Sequence, residues 1–531
     1  MTELLDDPLY TLDPCAETAQ WCAGGISALR SRLRNAGRPY RVVIDHTRKM
    51  HATLVDTFDW RVLESGRIAL LLESDGNAGP QEAPPLRLLP HAYRRREGTG
   101  IDPAVAAAAH VPVDTIRTSE IRSCIGPRAL LRMGDGELSF RRARLINANG
   151  KTEAIVDEVS IDGTREIGGP DHLKRFLLLR PLRGYGRVLS ISLGTPVGVD
   201  GMVDALAATG GRRPFDFDTR LNLPIRGDDD AESAHRHVVT RLVGTMAAVR
   251  PWIGFAGDPE FLHDYRVALR RLRSYLKESG LGPPTRGQHA SQAVDSINGV
   301  WEATGAARDF DVFMERRAYY LQATPVPLRN EVEQLFDRIA GLREKSYETL
   351  FARLPVGYET DLEAELLSRG PAWGRGPSDD PDAKRADTDS IRLDVQATRW
   401  VRRREKKFLK LATRLQNAYS AAGKELDDET IHAARKAAKK YRYLHEIFLP
   451  VLNDRKHTSK RVKRLRKLQN LLGSYNDLVV EEARFHEILT GIDGVSYGDV
   501  RAATAYLLAR VERQKAAARR RMLKELSREV Q

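Results

Sequence analysis

One pattern occurs twice in the C-terminal part of this chain. His263-Asp-Tyr-Arg266-Val-Ala-Leu-Arg270-Arg271-Leu-Arg273 and His432-Ala-Ala-Arg435-Lys436-Ala-Ala-Lys439-Lys440-Tyr-Arg442 both fit H-x-x-R-x-x-x-[RK]-[RK]-x-R. Roughly 40 residues after each comes a second shared element, Gly305-Ala-Ala-Arg308-Asp309-Phe-Asp311-Val312 and Gly473-Ser-Tyr-Asn476-Asp477-Leu-Val-Val480. Two elements in one order at nearly one separation point to duplication of a helical unit. From about Ala231 onward, apolar residues recur at three and four, broken by brief loops such as residues 280–287. The expectation is an all-α region with halves at about 231–367 and 391–525. Residues 368–390, rich in Gly, Pro and Asp, form a flexible connection between them.

Helical geometry gives the first element its chemistry. At about 100° per residue, offsets 0, +3, +7 and +10 fall within an arc of roughly 80°. His263, Arg266, Arg270 and Arg273 therefore share one stripe, which Lys277 extends, and His432, Arg435, Lys439 and Arg442 form its counterpart. Val267, Leu269, Leu272 and Leu276 sit mostly on other faces and are free to pack inward. A file of cations repels itself unless an anion, or carboxylates from elsewhere in the chain, neutralises it. Both outcomes stay open here. Arginine's planar fork suits phosphate oxygens, and a protonated histidine donates to them.

The charge of the chain lies in the same region. Lys+Arg against Asp+Glu is 30 to 28 over residues 1–225 but 33 to 17 over residues 391–531, within an overall net charge of +13. A surplus so placed suggests a polyanionic partner: nucleic acid, acidic membrane or polyphosphate. Further cations with helical spacing are Lys436, the 402–410 run and Lys460, Lys463, Arg464 and Lys467, read either as solvated faces or as an outer track. Aromatic residues that would stack bases are sparse among them, so nucleic acid is the lesser alternative. Arg308, Asp309 and Asp311 read as a helix-terminal salt-bridge and capping set. No apolar run is long enough to span a membrane, no signal peptide is visible at the acidic start, and Cys15, Cys22 and Cys124 lack zinc spacing. These features predict a reducing, cytoplasmic setting.

Residues 1–225 read as mixed α/β. Short β-like runs lie at 41–44, 68–72 and 154–161, helical periodicity at 26–36 and 202–209, and Asn149-Gly150 marks a hairpin tip. No Walker loop, H-E-x-x-H or C-x-x-C occurs. The G-x-S-x-G at 494–498 lacks the strand–turn–helix context of a nucleophile elbow and reads as a helix connection. No catalytic residue and no metal ligand is assigned.

The paired histidine–arginine helices, with A-T-G-A-A-R-D-F-D-V and L-Q-N-L-L-G-S-Y-N-D, resemble the CHAD domain, the conserved histidine α-helical domain, over about residues 231–525. The resemblance implies two pseudo-symmetric helical bundles around a basic channel, with inorganic polyphosphate as ligand, no cofactor, and a cytoplasmic location that includes polyphosphate granules. By position, His263, Arg266, Arg270, Arg273, His432, Arg435, Lys439 and Arg442 would line the channel, with Lys277, Lys436, Lys460, Lys463, Arg464 and Lys467 as additional contacts. The second half has Lys439-Lys440 where the first has Arg270-Arg271, and lacks the second acid of R-D-x-D, so the halves contribute unequally.

Asp56-Thr57-Phe58-Asp59-Trp60-Arg61-Val62-Leu63-Glu64-Ser65-Gly66 resembles the D-T-x-D-x-x-L-x-x-x-G stretch of CYTH domains, and Leu179–Tyr185 fits a CYTH–CHAD tandem. That resemblance implies a β-tunnel at residues 1–225 preceding the helical domain at 226–531. Triphosphatases of the family use E-x-E-x-K with Mg²⁺ or Mn²⁺, and no E-x-E-x-K occurs in residues 1–100. The expectation is a degenerate CYTH-like domain and a non-enzymatic binder; the alternative is a metal-dependent triphosphatase working in the tunnel.

Overall fold

A computed structural model describes residues 20–23, 25–35, 40–74, 86–90, 110–111, 119–162, 175–183, 185, 200–218, 221, 223–279, 292–369, 392–420, 428–452, 455–490 and 498–530. The chain divides into two compact units, Met1–Thr219 with Phe255–Asp258, and Arg220–Gly254 with Pro259–Gln531.

The first unit contains β1 (Gln20–Ala23), α1 (Ile26–Asn35), β2 (Arg41–Thr57), α2 (Arg61–Glu64), β3 (Arg67–Ser74), β4 (Leu86–Pro90), β5 (His110–Val111), α3 (Ser119–Ile125), β6 (Leu130–Ile146), β7 (Thr152–Asp162), β8 (Arg175–Pro181) and α4 (Asp200–Thr209). The strands form one curled antiparallel sheet, a half-barrel, in the order β1-β8-β7-β6-β2-β3-β4, with β5 paired to β6. Among the described residues the sheet is open between β1 and β4, so these strands do not close the expected tunnel. Period-two alternation sends Ala154 and Val156 to one face, where Ile26, Leu29 and Leu33 of α1 cover them together with Val42, Leu145, Leu177 and Leu179. The β6–β7 hairpin turns at Asn147–Lys151, where the Asn147 side chain accepts from the Asn149 and Lys151 amides and Gly150 takes φ 76°. Helix α4 lies so close to β6 that a Cβ on Gly134 would meet the Leu206 carbonyl at 1.7 Å.

The D-T-x-D segment is a folded turn. Asp56 is buried, and its carboxylate accepts from the Thr57, Val62 and Leu63 amides, capping α2. Trp60 follows in the left-handed region at φ 61° and donates to Asp216 at 2.9 Å. Arg212, 1% exposed, forks onto both oxygens of Asp216 at 2.6 Å and lies over the Phe58 and Trp60 rings.

The second unit is helical: α5 (Ala231–Val249), α6 (Glu260–Glu278), α7 (Gln292–Glu315), α8 (Arg317–Ala323), α9 (Arg329–Arg353), α10 (Tyr358–Arg369), α11 (Leu393–Ser420), α12 (Asp428–Phe448), α13 (Arg455–Thr490) and α14 (Gly498–Val530). Asp230 caps α5 by accepting from the Ser233 amide at 2.7 Å. Leu269, Leu272 and Leu276 of α6 are buried, which leaves its cationic stripe on another face. Phe313, Phe336, Phe485, Leu507 and Val511 gather α7, α9, α13 and α14 into a second core. No described helix is long and apolar enough to cross a membrane. Helix α10 runs to Arg369, and the rest of the 368–390 connection lies outside the described residues, as do residues 280–287 and 494–497.

Replacing Asp216 with Ala strands a buried guanidinium. Asp216→Ala should cost the sheet unit about 3–5 kcal/mol, read as a lower midpoint in urea unfolding.

Candidate phosphate-binding site

Helices α6 and α12 carry the two stripes, each with its histidine in the first turns and its last cation near the end. Residues beside the stripes tie them together. Arg271 of α6 reaches Glu446 of α12 at 3.0 Å, and Arg442 approaches the same carboxylate at 3.5 Å. The clamp brings Arg270 electrostatically against Arg442, Arg435 and Lys439. Like charges from two helices thus share one strip.

Helix α7 supports the first stripe. Arg266, 9% exposed, donates to the Thr304 hydroxyl at 2.8 Å and the Trp301 carbonyl at 3.2 Å, with its guanidinium over the Trp301 ring at 4.4 Å. Arg273 lies over the same ring at 4.8 Å and donates to Asn298 at 2.8 Å. An aromatic face and neutral acceptors orient a guanidinium without cancelling its charge. Helix α13 supports the second. The Asn476 side-chain oxygen accepts from His432 Nδ1 at 2.7 Å, which points the other ring nitrogen away from Asn476. Arg435 approaches Asp477 only to 3.8 Å. His263 is half-buried in the first turn of α6.

Six cations here have no carboxylate within 4.0 Å among the described residues: Arg266, Arg270, Arg273, Lys277, Lys439 and Lys440. Several half-buried cations elsewhere in the helical unit are matched: Arg343 with Asp311 at 2.7 Å, Arg316 with Glu481, and Arg404 with Glu278. The buried Nε atoms of Arg270 and Arg435 have no hydrogen-bond partner, although buried donors are normally satisfied. The cost registers in the titration of the strip. Burial and neighbouring Arg435, Arg270 and Arg442 push Lys439 down to about 7. Burial with Lys277, Arg404 and Lys407 brings Lys440 to about 8. Burial and Arg270 bring even Arg266 down to about 10.

All eight residues assigned to the stripes lie on α6 and α12, but they are not equivalent. Arg442 is partly neutralised by Glu446, whereas Arg270 and Lys439 are not. Lys277 and Lys436 are exposed beside the strip. Lys460, Lys463 and Arg464 lie on α13 with side chains outside the described set, and Lys467 is exposed on the same helix. One expectation is corrected. Arg308, Asp309 and Asp311 stand within α7, which continues to Glu315, so they cap nothing. Arg308 pairs with Glu315 at 2.9 Å, Asp309 approaches Arg484 at 3.8 Å, and Asp311 binds Arg343 and Tyr347. Trp301 and Asn298 were not singled out in the sequence, and Thr304, Lys440 and Arg404 stood in quoted patterns without an assigned role. Asn298, Trp301 and Thr304 recur every three residues and so share the α7 face that meets α6, a signal visible only once the stripe is known to need a partner.

The strip loads the fold with repulsion, so removing a cation should relieve it. Lys439 has a folded pKa below its ordinary value of 10.5, so folding expels its proton and stability from this group rises between pH about 7 and 10.5. Lys439→Met should raise stability at pH 7 by about 1 kcal/mol and lose that part of the pH dependence, as read by thermal unfolding across pH.

The CHAD domain family matches residues 236–486. Among solved structures, a CHAD domain from the plant Ricinus communis aligns with 24% identity over 57% of this chain and 94% of its own, at a TM-score of 0.44. PptA from Streptomyces chartreusis aligns with 13% identity over 56% of this chain and 100% of its own, at a TM-score of 0.39. A comparison with curated proteins finds no match. With α6, α12 and both copies of the repeated pattern inside the matched span, this chain carries a CHAD domain.

Proposed function

We propose that the helical unit binds inorganic polyphosphate along the strip between α6 and α12. The observation that carries this reading is the set of six cations, most of them buried or half-buried, with no carboxylate within 4.0 Å among the described residues, gathered on two facing helices. Solvated surface lysines would not be half-buried, and structural ion pairs would show partners. A linear chain of phosphates brings one negative charge per repeating unit, which matches cations at successive helical turns better than a single compact anion does. Binding would replace repulsion with charge-assisted hydrogen bonds and release condensed counterions.

In this reading the chain is a binder. The curled sheet is taken as a CYTH-like module without triphosphatase chemistry, because its buried carboxylates are committed internally. Asp157 is held between Arg142 at 2.8 Å and Arg180 at 2.6 Å, and Asp56 by three backbone amides. A cytoplasmic, granule-associated location is part of the same proposal.

Equilibrium binding of long-chain polyphosphate at physiological salt, with RNA as competitor, tests it. Tight binding that RNA fails to displace is expected, and the combined Arg266→Ala, Arg270→Ala, Arg435→Ala and Lys439→Ala variant should lose roughly two orders of magnitude while staying helical. Equal displacement by RNA, or a variant that binds as before, overturns the reading. The pH dependence has a definite sign. A polyanion raises the pKa of Lys439 above its free value of about 7, set by burial and by Arg435, Arg270 and Arg442 against Asp477, so binding takes up protons above that pH. Affinity should therefore fall as pH rises through 7 to 9, less steeply in Lys439→Met, as isothermal titration in buffers of different ionisation enthalpy would show.

A further inference from the structure

The strip sets an amine among groups suited to hold phosphate. Lys439 lies on the stripe face of α12, one turn after Arg435 and one turn before Arg442, and Arg270 of α6 is near enough to repel it. It is half-buried, with no carboxylate within 4.0 Å among the described residues; Asp477 of α13 acts on it only at longer range. The buried Nε groups of Arg270 and Arg435 are donors without acceptors. An ammonium clamped by a carboxylate is protonated and inert, but one crowded by guanidinium groups loses its proton and becomes a nucleophile. The lowering of Lys439 to about 7 agrees with that geometry. Lys436, one turn earlier on the same helix, is exposed and provides an internal comparison.

We propose that Lys439 is a modification site for acyl phosphates, whose phosphoryl group docks on Arg270 and Arg435 while the amine attacks the adjoining carbonyl carbon. The proposal rests on the phosphate-binding reading of the strip, though not on chain length. The Nζ lone pair forms the N–C bond, and a tetrahedral adduct collapses with cleavage of the C–O bond to phosphorus. Inorganic phosphate leaves with that electron pair, its charge held by the same guanidinium groups, and the amine proton passes to it or to water. The product is a neutral amide. Acylation therefore deletes a cation at the point where three others converge, and it weakens the strip's hold on a polyanion. An acyl phosphate would thereby act as a chemical antagonist of polyanion binding.

The test treats the full chain with acetyl phosphate at about pH 7.5 and follows initial acetylation of each lysine by peptide mass spectrometry. Lys439 should react faster than Lys436 by on the order of tenfold despite its lower exposure. Saturating pyrophosphate should suppress Lys439 and spare Lys436. Arg270→Gln and Arg435→Gln should each slow Lys439, and the advantage of Lys439 should shrink toward a neutral reagent such as N-acetoxysuccinimide, which has no phosphoryl group to dock. Rates that follow exposure, with Lys436 ahead, or labelling of Lys439 that pyrophosphate leaves untouched, overturn the proposal. A polyphosphate titration on the same sample keeps the two ideas separate. Tight chain binding with unselective acetylation removes the acylation proposal alone. Selective, pyrophosphate-protected acetylation without chain binding supports it and removes the polyphosphate reading.

Discussion

The helical unit is organised around a repulsion. Burial and the mutual repulsion of cations in the strip between α6 and α12 cost the fold stability: Arg270, Arg435 and Lys439 each hold their protons less tightly than usual. Packing behind the strip offsets that cost. Tyr275, Trp400 and Phe448 form an aromatic cluster, Tyr275 is also bonded to His235 at 2.9 Å, and Arg271 clamps Glu446 across the two helices. Each buried large apolar side chain contributes about 1.5–3 kcal/mol, so a modest number of them balances the strip. A fold of this kind gives up stability where its site lies.

Much of the candidate site's layout was legible because helical periodicity is local. Offsets of three, four and seven set which residues share a stripe before any tertiary contact forms, and Arg266, Arg270, Arg435 and Lys439 follow that rule. Which of the cations are neutralised was not legible, since neutralisation depends on residues distant in sequence. Glu446 reaches Arg271 from the other copy of the repeat, and Glu278 takes Arg404. Arg308, Asp309 and Asp311 were read at a helix end, whereas α7 runs through them to Glu315, with Gly305 beside the Arg266 guanidinium. In the sheet, β2 was read only as the short run 41–44 because a bulge between Ile44 and His46 interrupts its alternation, and β6 was not read as a strand.

The segment that carries the CYTH resemblance has a purpose that is visible without any ligand. Asp56 satisfies three amides, Asp59 binds Arg61 at 3.0 Å, and Trp60 holds a left-handed turn against Asp216. Burial lifts Asp56 to about 7 against those three amide hydrogen bonds, as expected of a carboxylate retained for folding in a dry site. Residues of this kind hold a fold element together, whatever chemistry the sheet performs. Resemblance through them therefore bears on architecture and leaves activity to other residues.

The difference between the two copies of the repeat also has a physical reading. The first copy has Arg270-Arg271 and the second Lys439-Lys440. Arginine keeps its proton in nearly any protein environment, and lysine gives it up when crowded. If all four positions were arginine, the strip would hold its full charge at every pH, and α12 could shed none of the repulsion from α6. With lysines on one side, the charge adjusts: burial and the neighbouring cations push Lys439 down to about 7 and Lys440 to about 8, and in the proposed polyanion complex they take protons back up. The fixed cations set the direction of attraction, and the lysines limit what the empty strip costs the fold.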